Sequence, residues 1–197
     1  GLLDVGDPRT VTTGTLDLNG NTLTLGTDFT LASAAGTVAI GTGTLDGATN
    51  GRGVSQSAGV ITQSTGTLSG TTYSGSGGSW TISGAGTVSL SGAITLSGTA
   101  AVSLNAATVG CGGLSQSAGT PVLTLSTAAI TSSGSVAVTA GTYTEGTSTL
   151  TMTGGGTTVQ FAPGYQPYDF VVNSAGTVSI AVNDLTDAAT LAHLLKY

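Results

Sequence analysis

Two apolar residues with one small or polar residue between them, then a bend rich in Gly, Ser or Asn, then another such pair: this unit runs nearly the length of the chain. Examples are Leu16/Leu18, Leu23/Leu25, Phe29/Leu31, Val38/Ile40, Val88/Leu90, Ile94/Leu96, Val102/Leu104, Leu123/Leu125, Val136/Val138, Leu150/Met152, Val159/Phe161 and Val178/Ile180. A spacing of two puts both apolar side chains on one face of a strand. Bends such as Asn19-Gly20-Asn21, Ser33 to Gly36 and Ser91-Gly92 separate the pairs, and these residue types accept the backbone angles of tight turns. Successive pairs start roughly six to nine residues apart, closer than the about 8 to 12 of hairpin sandwiches.

A chain that turns this often while keeping one face inward coils into a solenoid. Three short strands make a rung of about 20 to 25 residues, so the sequence predicts an all-β, parallel β-solenoid (β-helix) of roughly eight or nine rungs. It reads as an apolar arm at 1–10, the solenoid at 11–185, and a cap or docking segment at 186–197. Within the last of these, DAATLAHLLKY (Asp187 to Tyr197) has no Gly and favours a short C-terminal helix.

Internal repetition fits the same architecture. GVSQSAG at Gly53 to Gly59 returns as GLSQSAG at Gly113 to Gly119, and AGTV at Ala35 recurs at Ala85 and Ala175. TLDGATNGRGVSQSAG from Thr44 aligns with SLNAATVGCGGLSQSAG from Ser103 once a residue is inserted, the kind of change a solenoid corner tolerates. Sixty residues is a whole number of rungs only if rungs average about 20 or 30. On that footing Val54 and Leu114 are equivalent inward contacts, and the Ser and Gln beside them are polar turn and edge residues.

GTLDLNGNTLTL (Gly14 to Leu25), AGTVSLSGAITLSG (Ala85 to Gly98) and TYTEGTSTLTMTGGGTTVQF (Thr142 to Phe161) resemble the Gly/Ser/Thr-rich β-strand repeats of large microbial surface and secreted proteins. Among these are the passengers of autotransporter-like and filamentous-haemagglutinin-like adhesins. The resemblance implies an extracellular right-handed β-helix used as a stalk, fibre or adhesive rod. It brings no catalytic residues with it.

Charge narrows the partners. Only 6% of residues are charged and the net charge is −6, against about 25% charged in ordinary domains. An apolar fraction of 39% separates the chain from disordered sequences, which combine low hydrophobicity with high net charge. The three cations, Arg9, Arg52 and Lys196, are far apart and form no patch that could neutralise phosphates, which argues against nucleic acid. No apolar run approaches the roughly 20 residues of a membrane span. Cys111 is the single cysteine, which rules out an internal disulfide and suits a small buried residue. The chain opens at Gly1 without a signal-peptide pattern, as a mature product or a piece of a longer chain would.

Chemistry-bearing constellations are sparse. Asp17, Asn19, Asn21 and Asp28 fall at four ligand positions of a calcium loop, but Thr22 stands where such a loop needs Gly, and a plain turn explains the spacing. The acidic residues are scattered; Asp7 with Asp28, and Asp169 with Asp187, are about one rung apart and read as corner residues. His193 has no nucleophile near it in sequence. No metal or other cofactor is implied, and the chain reads as a non-enzyme. Thr22/Thr24, Thr42/Thr44 and Thr65/Thr67 are spaced as rungs would be, in the manner of ice-binding solenoids, but the pairing lapses at Thr87-Val88-Ser89, leaving strand propensity as the explanation.

Two features point to contacts. FAPGYQPYDF, Phe161 to Phe170, is the densest aromatic stretch. Its prolines interrupt the strand pattern, its two Phe anchor the loop ends, and Tyr165 and Tyr168 are candidates for stacking on a sugar or on another subunit. Trp80 reads as a core or corner residue rather than a ligand platform. The chain ends are apolar, with Leu2, Leu3 and Val5 at one and Leu191, Leu194 and Leu195 at the other, whereas a monomeric solenoid blunts its terminal rungs. The expectation is a structural subunit of an extracellular or cell-surface filament, self-associating end to end. A glycan-binding adhesin rod is the alternative, and a polysaccharide-acting β-helix enzyme or ice-binding solenoid ranks third.

Overall fold

A computed structural model describes residues 3–5, 11 and 13–181. The chain forms strand after strand of three to six residues, with no helix among the described residues. After β1 (Leu3–Val5), seven complete rungs follow, each of three strands. They are β2 (Gly14–Asp17), β3 (Thr22–Leu25) and β4 (Phe29–Leu31); β5 (Gly36–Gly41), β6 (Thr44–Asp46) and β7 (Val54–Gln56); and β8 (Val60–Gln63), β9 (Thr67–Gly70) and β10 (Tyr73–Gly75). Next come β11 (Ser79–Ile82), β12 (Thr87–Leu90) and β13 (Ala93–Leu96), then β14 (Ala101–Ser103), β15 (Thr108–Cys111) and β16 (Gly113–Gln116). The last two are β17 (Val122–Thr124), β18 (Ala129–Ser132) and β19 (Val136–Val138), then β20 (Thr142–Thr144), β21 (Thr149–Met152) and β22 (Thr157–Phe161). Beyond them lie β23 (Asp169–Val172) and β24 (Val178–Ala181).

The strands stack into three parallel sheets. β2, β5, β8, β11, β14, β17 and β20 form the seven-stranded sheet. The nine-stranded sheet runs from β1 through β3 to β23, and the eight-stranded sheet from β4 to β24. The chain visits them in the order seven, nine, eight on every turn, so each strand pairs with the one a full rung later. Rung length, read from paired residues, ranges from 19 (Val54 with Tyr73) to 25 (Phe29 with Val54). The parallel β-solenoid read from the sequence is the fold. At about 4.8 Å per rung, the nine-stranded sheet extends for about 38 Å along the axis.

Alternation sets the core. In β5 Gly36, Val38 and Ile40 are buried and the residues between them half-buried. Stacking in register then makes continuous ladders: Leu23, Leu45, Leu68, Val88, Val109, Ile130, Leu150 and Phe170 succeed one another in the nine-stranded sheet. Trp80 lies in the seven-stranded sheet between Ile61 and Val102, fully buried and tilted against Tyr73 with ring centroids 4.5 Å apart. It is a core residue, as expected.

The duplicated heptapeptide is resolved by the same ladders. Val54, Tyr73, Ile94 and Leu114 are successive partners in the eight-stranded sheet, so the sixty residues from Val54 to Leu114 are three rungs averaging 20. Both residues are buried, at 2% and 4% exposure. The expectation for the neighbouring glutamines is overturned: Gln56 and Gln116 point inward and are fully buried. Each is two residues after an inward apolar residue, so strand alternation carries it into the core, where its amide serves corner carbonyls. Gln56 Nε2 donates to Gly59 O (3.1 Å) and Ser79 O (3.0 Å). Gln116 Nε2 lies within reach of Pro121 O, Ala140 O and Thr142 O. Gln63 does the same at another corner, donating to Gly66 O (2.7 Å) and Thr87 O (2.9 Å). In each case one acceptor is in the glutamine's own rung and another in the next, so the side chain adds a tie between rungs at corners that backbone bonds such as Ser79 N to Gly59 O (3.0 Å) also join.

Candidate functional site

The Phe161 to Phe170 stretch departs from the strand pattern because of its prolines. Ala162 N donates to Val138 O (2.8 Å), continuing the eight-stranded ladder for one bond, and Tyr165 N returns to Ala162 O (2.9 Å) across Pro163-Gly164. Gly164 has φ +80°, as a Pro-Gly turn requires. The winding order places residues 162–168 where a further strand of the seven-stranded sheet would lie, against β20. There the Tyr165 ring packs on Tyr143 of β20 (centroids 5.6 Å), and Tyr143 packs in turn on Phe161 (5.7 Å). The Tyr165 hydroxyl donates to Gly141 O, just before β20. Phe170 is buried and Phe161 packs half-buried against the core, so the loop ends are anchored as expected. Tyr165 is half-buried in this cluster. Tyr168 presents itself at the surface, 43% exposed.

Burial and the negative charge of Glu145 push the Tyr143 phenol above its ordinary range, against the weaker opposing effect of Ser148. Neutral, it is an apolar packing surface for Tyr165. Phe161, Tyr143 and Tyr165 thus form one aromatic unit that joins the loop to β20.

The two limits of the described stack are the second candidate. β1 is a strand, paired with β3 as Leu3 with Leu23 and Val5 with Leu25; Leu2, Leu191, Leu194 and Leu195 lie outside the described residues, as does the helix expected within 186–197. At the far end β24 pairs with β22, placing Ile180 opposite Val159 in an inward ladder. Val159 is buried, whereas Ile180 is 40% exposed. The core ladder therefore reaches the end of the described stack and stays partly open there.

The remaining acidic candidates have structural partners. Asp17 Oδ1 accepts from Asn19 N (2.9 Å) and Asp28 Oδ1 from Gly53 N (2.9 Å), with Asn19 at φ +45°: the calcium-like spacing is a turn. Asp46 accepts from Thr49 Oγ1 (2.6 Å), Ser69 Oγ (2.9 Å) and the N–H groups of Ala48 and Thr49. Asp7, Asp187 and His193 lie outside the described residues. Among the described residues no three His, Cys, Asp or Glu side chains come together as a metal site would need, and no helix is long and apolar enough to cross a membrane.

The outward faces hold a surprise. The Thr-x-Thr pairs do not stack as pairs, because Thr42 and Thr65 fall in corners before β6 and β9. One member of each does stack, the first of Thr22/Thr24 and the second of the other two: Thr22, Thr44, Thr67, Thr87 and Thr108 follow one another in the nine-stranded sheet, and after Ala129 comes Thr149. The row runs further than the sequence pattern shows, because registering on the strand rather than on the pair carries it past Thr87. From Gly53 to Thr144 the chain has no charged residue, so the faces from β7 to β20 are wholly neutral. No family model matches this chain, and no curated protein or solved structure matches it.

Proposed function

We propose that the protein is a structural subunit of an extracellular filament in which copies stack head to tail. The observation that carries this is the partly open core at β24: Ile180 holds an inward ladder position yet is 40% exposed. A parallel solenoid has ends of opposite polarity, so the edge formed by β23 and β24 suits the edge formed by β1, β2 and β4 of another copy, with the same alternation of inward and outward residues. Such a contact is heterologous and does not close, which yields fibres rather than rings. The neutral, hydroxyl-rich faces and the scarcity of Lys and Arg suit a durable extracellular rod, where trypsin-like cleavage has few targets.

The test is electron microscopy and light scattering across a concentration series, with Ile180→Lys as the comparison. Filaments that lengthen with concentration and are lost in Ile180→Lys support the reading. Monodisperse rods at every concentration overturn it. The exposed Tyr168 beside Pro167 favours a second reading, a glycan-binding rod, in which Tyr168→Ala abolishes binding on a glycan array while assembly is unaffected.

A further inference from the structure

A backbone nitrogen can attack the side-chain carbonyl carbon of the residue before it, and glycine permits this best because no Cβ shields its nitrogen. Asn-Gly and Asp-Gly pairs are therefore where a chain can modify itself without an enzyme. Among the described residues there are three: Asn19-Gly20, Asp46-Gly47 and Asn50-Gly51. Exposure does not separate the two Asn-Gly pairs, since all four of their residues are exposed. Hydrogen bonding does. Asn50 Nδ2 donates to Leu25 O on the preceding rung (2.9 Å), and Gly51 N donates to Ala48 O (3.2 Å). The Asp46 carboxylate is held by Thr49 and Ser69, and Gly47 N donates to Ser69 O (2.8 Å). In both pairs the attacking nitrogen and the group it would attack are tied down.

The Asn19-Gly20 corner is built differently. Asn21 N donates to Leu18 O (2.8 Å), closing a turn whose central residues, Asn19 and Gly20, have φ of +45° and +77°, as in a type I′ turn. Asn21 Nδ2 braces the same turn by donating to Leu18 O (3.0 Å) and Asn19 O (3.3 Å). These bonds leave out two groups: among the described residues neither the Asn19 side-chain amide nor Gly20 N has a hydrogen-bond partner. A Cβ on Gly20 would meet only Thr42 Oγ1, at 3.5 Å, so the corner has room for a ring to close.

We propose that Asn19 is a self-modification site of the folded rod. Gly20 N attacks Asn19 Cγ; the N–Cγ bond forms as the Cγ–Nδ2 bond breaks, and Nδ2 leaves as ammonia with the proton that Gly20 N gives up. Water, the only co-reactant, then opens the five-membered imide. Opening at the side-chain carbonyl carbon gives aspartate, and opening at the main-chain carbonyl carbon gives isoaspartate. Either product places a new carboxylate two residues from Asp17, in a chain whose net charge is −6. Isoaspartate also lengthens the backbone by a methylene between β2 and β3, at a corner, where a solenoid tolerates insertion. The proposal does not depend on how copies assemble.

Incubating the native protein in mildly alkaline buffer and mapping its peptides by mass spectrometry tests it. Asn19 should convert to a mixture of aspartate and isoaspartate roughly tenfold or more ahead of Asn50, which must first give up two hydrogen bonds. In urea, where both pairs are released, the two rates should converge. Asn19→Gln, whose longer side chain does not form the five-membered ring, should remove the early acidic isoform on a focusing gel and leave the Trp80 emission unchanged. Native conversion at Asn50 as fast as at Asn19, a native Asn19 that stays intact while the denatured one reacts, or aspartate without isoaspartate would each overturn the proposal.

Discussion

The hydroxyl of Tyr73 donates a 2.6 Å hydrogen bond to Oε1 of Gln56 from the preceding inward position of the adjacent rung, opposite Val54, and both side chains are buried. This completes the bonding of Gln56, whose amide N–H groups already serve Gly59 O and Ser79 O. Tyr73→Phe leaves a buried carbonyl oxygen without a donor and should cost about 1 to 3 kcal/mol. Gln56→Leu removes the side-chain hydrogen bond to each of two carbonyls and leaves the Tyr73 hydroxyl without its acceptor, and should cost more. Ser55→Ala, on the exposed face of the same strand, should stay within about 0.5 kcal/mol. Urea unfolding followed by circular dichroism checks the order of the three.

Trp80 is the one tryptophan of the chain and is fully buried between rungs. Its fluorescence should be blue-shifted and shielded from aqueous quenchers, and should move to the red in a single step as the solenoid unfolds. Trp80→Ala opens a cavity at mid-rod and should destabilise by about 3 to 5 kcal/mol. A red emission maximum in the native protein would place the indole outside the core.

The fold was legible in the sequence because twelve strands announce themselves with two inward apolar residues. Others do not. β7, β8 and β16 follow Val54, Ile61 and Leu114 with an inward Gln, and β9 and β10 follow Leu68 and Tyr73 with an inward Gly. A polar or absent side chain at an inward position breaks the hydrophobic alternation without breaking the strand, since the glutamine Nε2 groups donate to carbonyls that only the coiled chain brings within reach. Gly75 makes room for the Tyr73 ring, whose atoms lie 3.1 Å from where a Cβ would stand. The aromatic loop was visible as a composition change, but its packing on β20 was not. It depends on Tyr143, 22 residues earlier and one rung below Tyr165, and contact across a rung is set by register rather than by local pattern.

Titration should weaken the rod at both ends of the pH scale. Burial alone would raise the Asp46 carboxyl, but its hydrogen bonds to Thr49, Ser69 and the Ala48 N–H together hold it below its ordinary value of 3.8. A depressed carboxyl stabilises the fold above pH 3.8 and loses that contribution as pH falls through the lower, folded-state value. Tyr73 and Tyr143 are raised by burial above an ordinary 10.0, so their contribution is intact below pH 10 and is lost on further rise. Asp46→Asn should flatten the acid limb of a melting-temperature profile, and Tyr143→Phe the alkaline one. An acid limb unchanged in Asp46→Asn would assign it to other carboxylates.

Cys111 lies in β15, where Ser132 of β18 is its ladder partner. Burial pushes its thiol up, more than its hydrogen bonds to Gly113 and Ser132 pull it down. A thiol kept protonated and covered is a poor nucleophile. Iodoacetamide should therefore leave it unmodified in the native rod at neutral pH and label it fully in denaturant, with native-state labelling no faster than unfolding. Rapid native labelling would show that the nine-stranded sheet opens locally at that rung.

The duplicated heptapeptide ends in glycine both times for two separable reasons, and substitution should tell them apart. Gly59 and Gly119 have φ of +71° and +80°, where a side chain is strained by about 1 to 2 kcal/mol. Both also sit hard against the preceding rung: a Cβ on Gly59 would come within 2.6 Å of Gly36 O and Ser33 O, and one on Gly119 within 2.6 Å of Gly98 N and O. Gly51 shares the backbone angle, at +66°, but a Cβ there meets nothing within 4 Å. Gly51→Ala should therefore cost only the backbone strain. Gly59→Ala and Gly119→Ala must also push two rungs apart and should cost clearly more, with lower denaturation midpoints and faster amide exchange at the corners they touch. Equal losses at all three positions would mean that close rung stacking places no demand on these corners, and that the backbone angle alone keeps the glycines there.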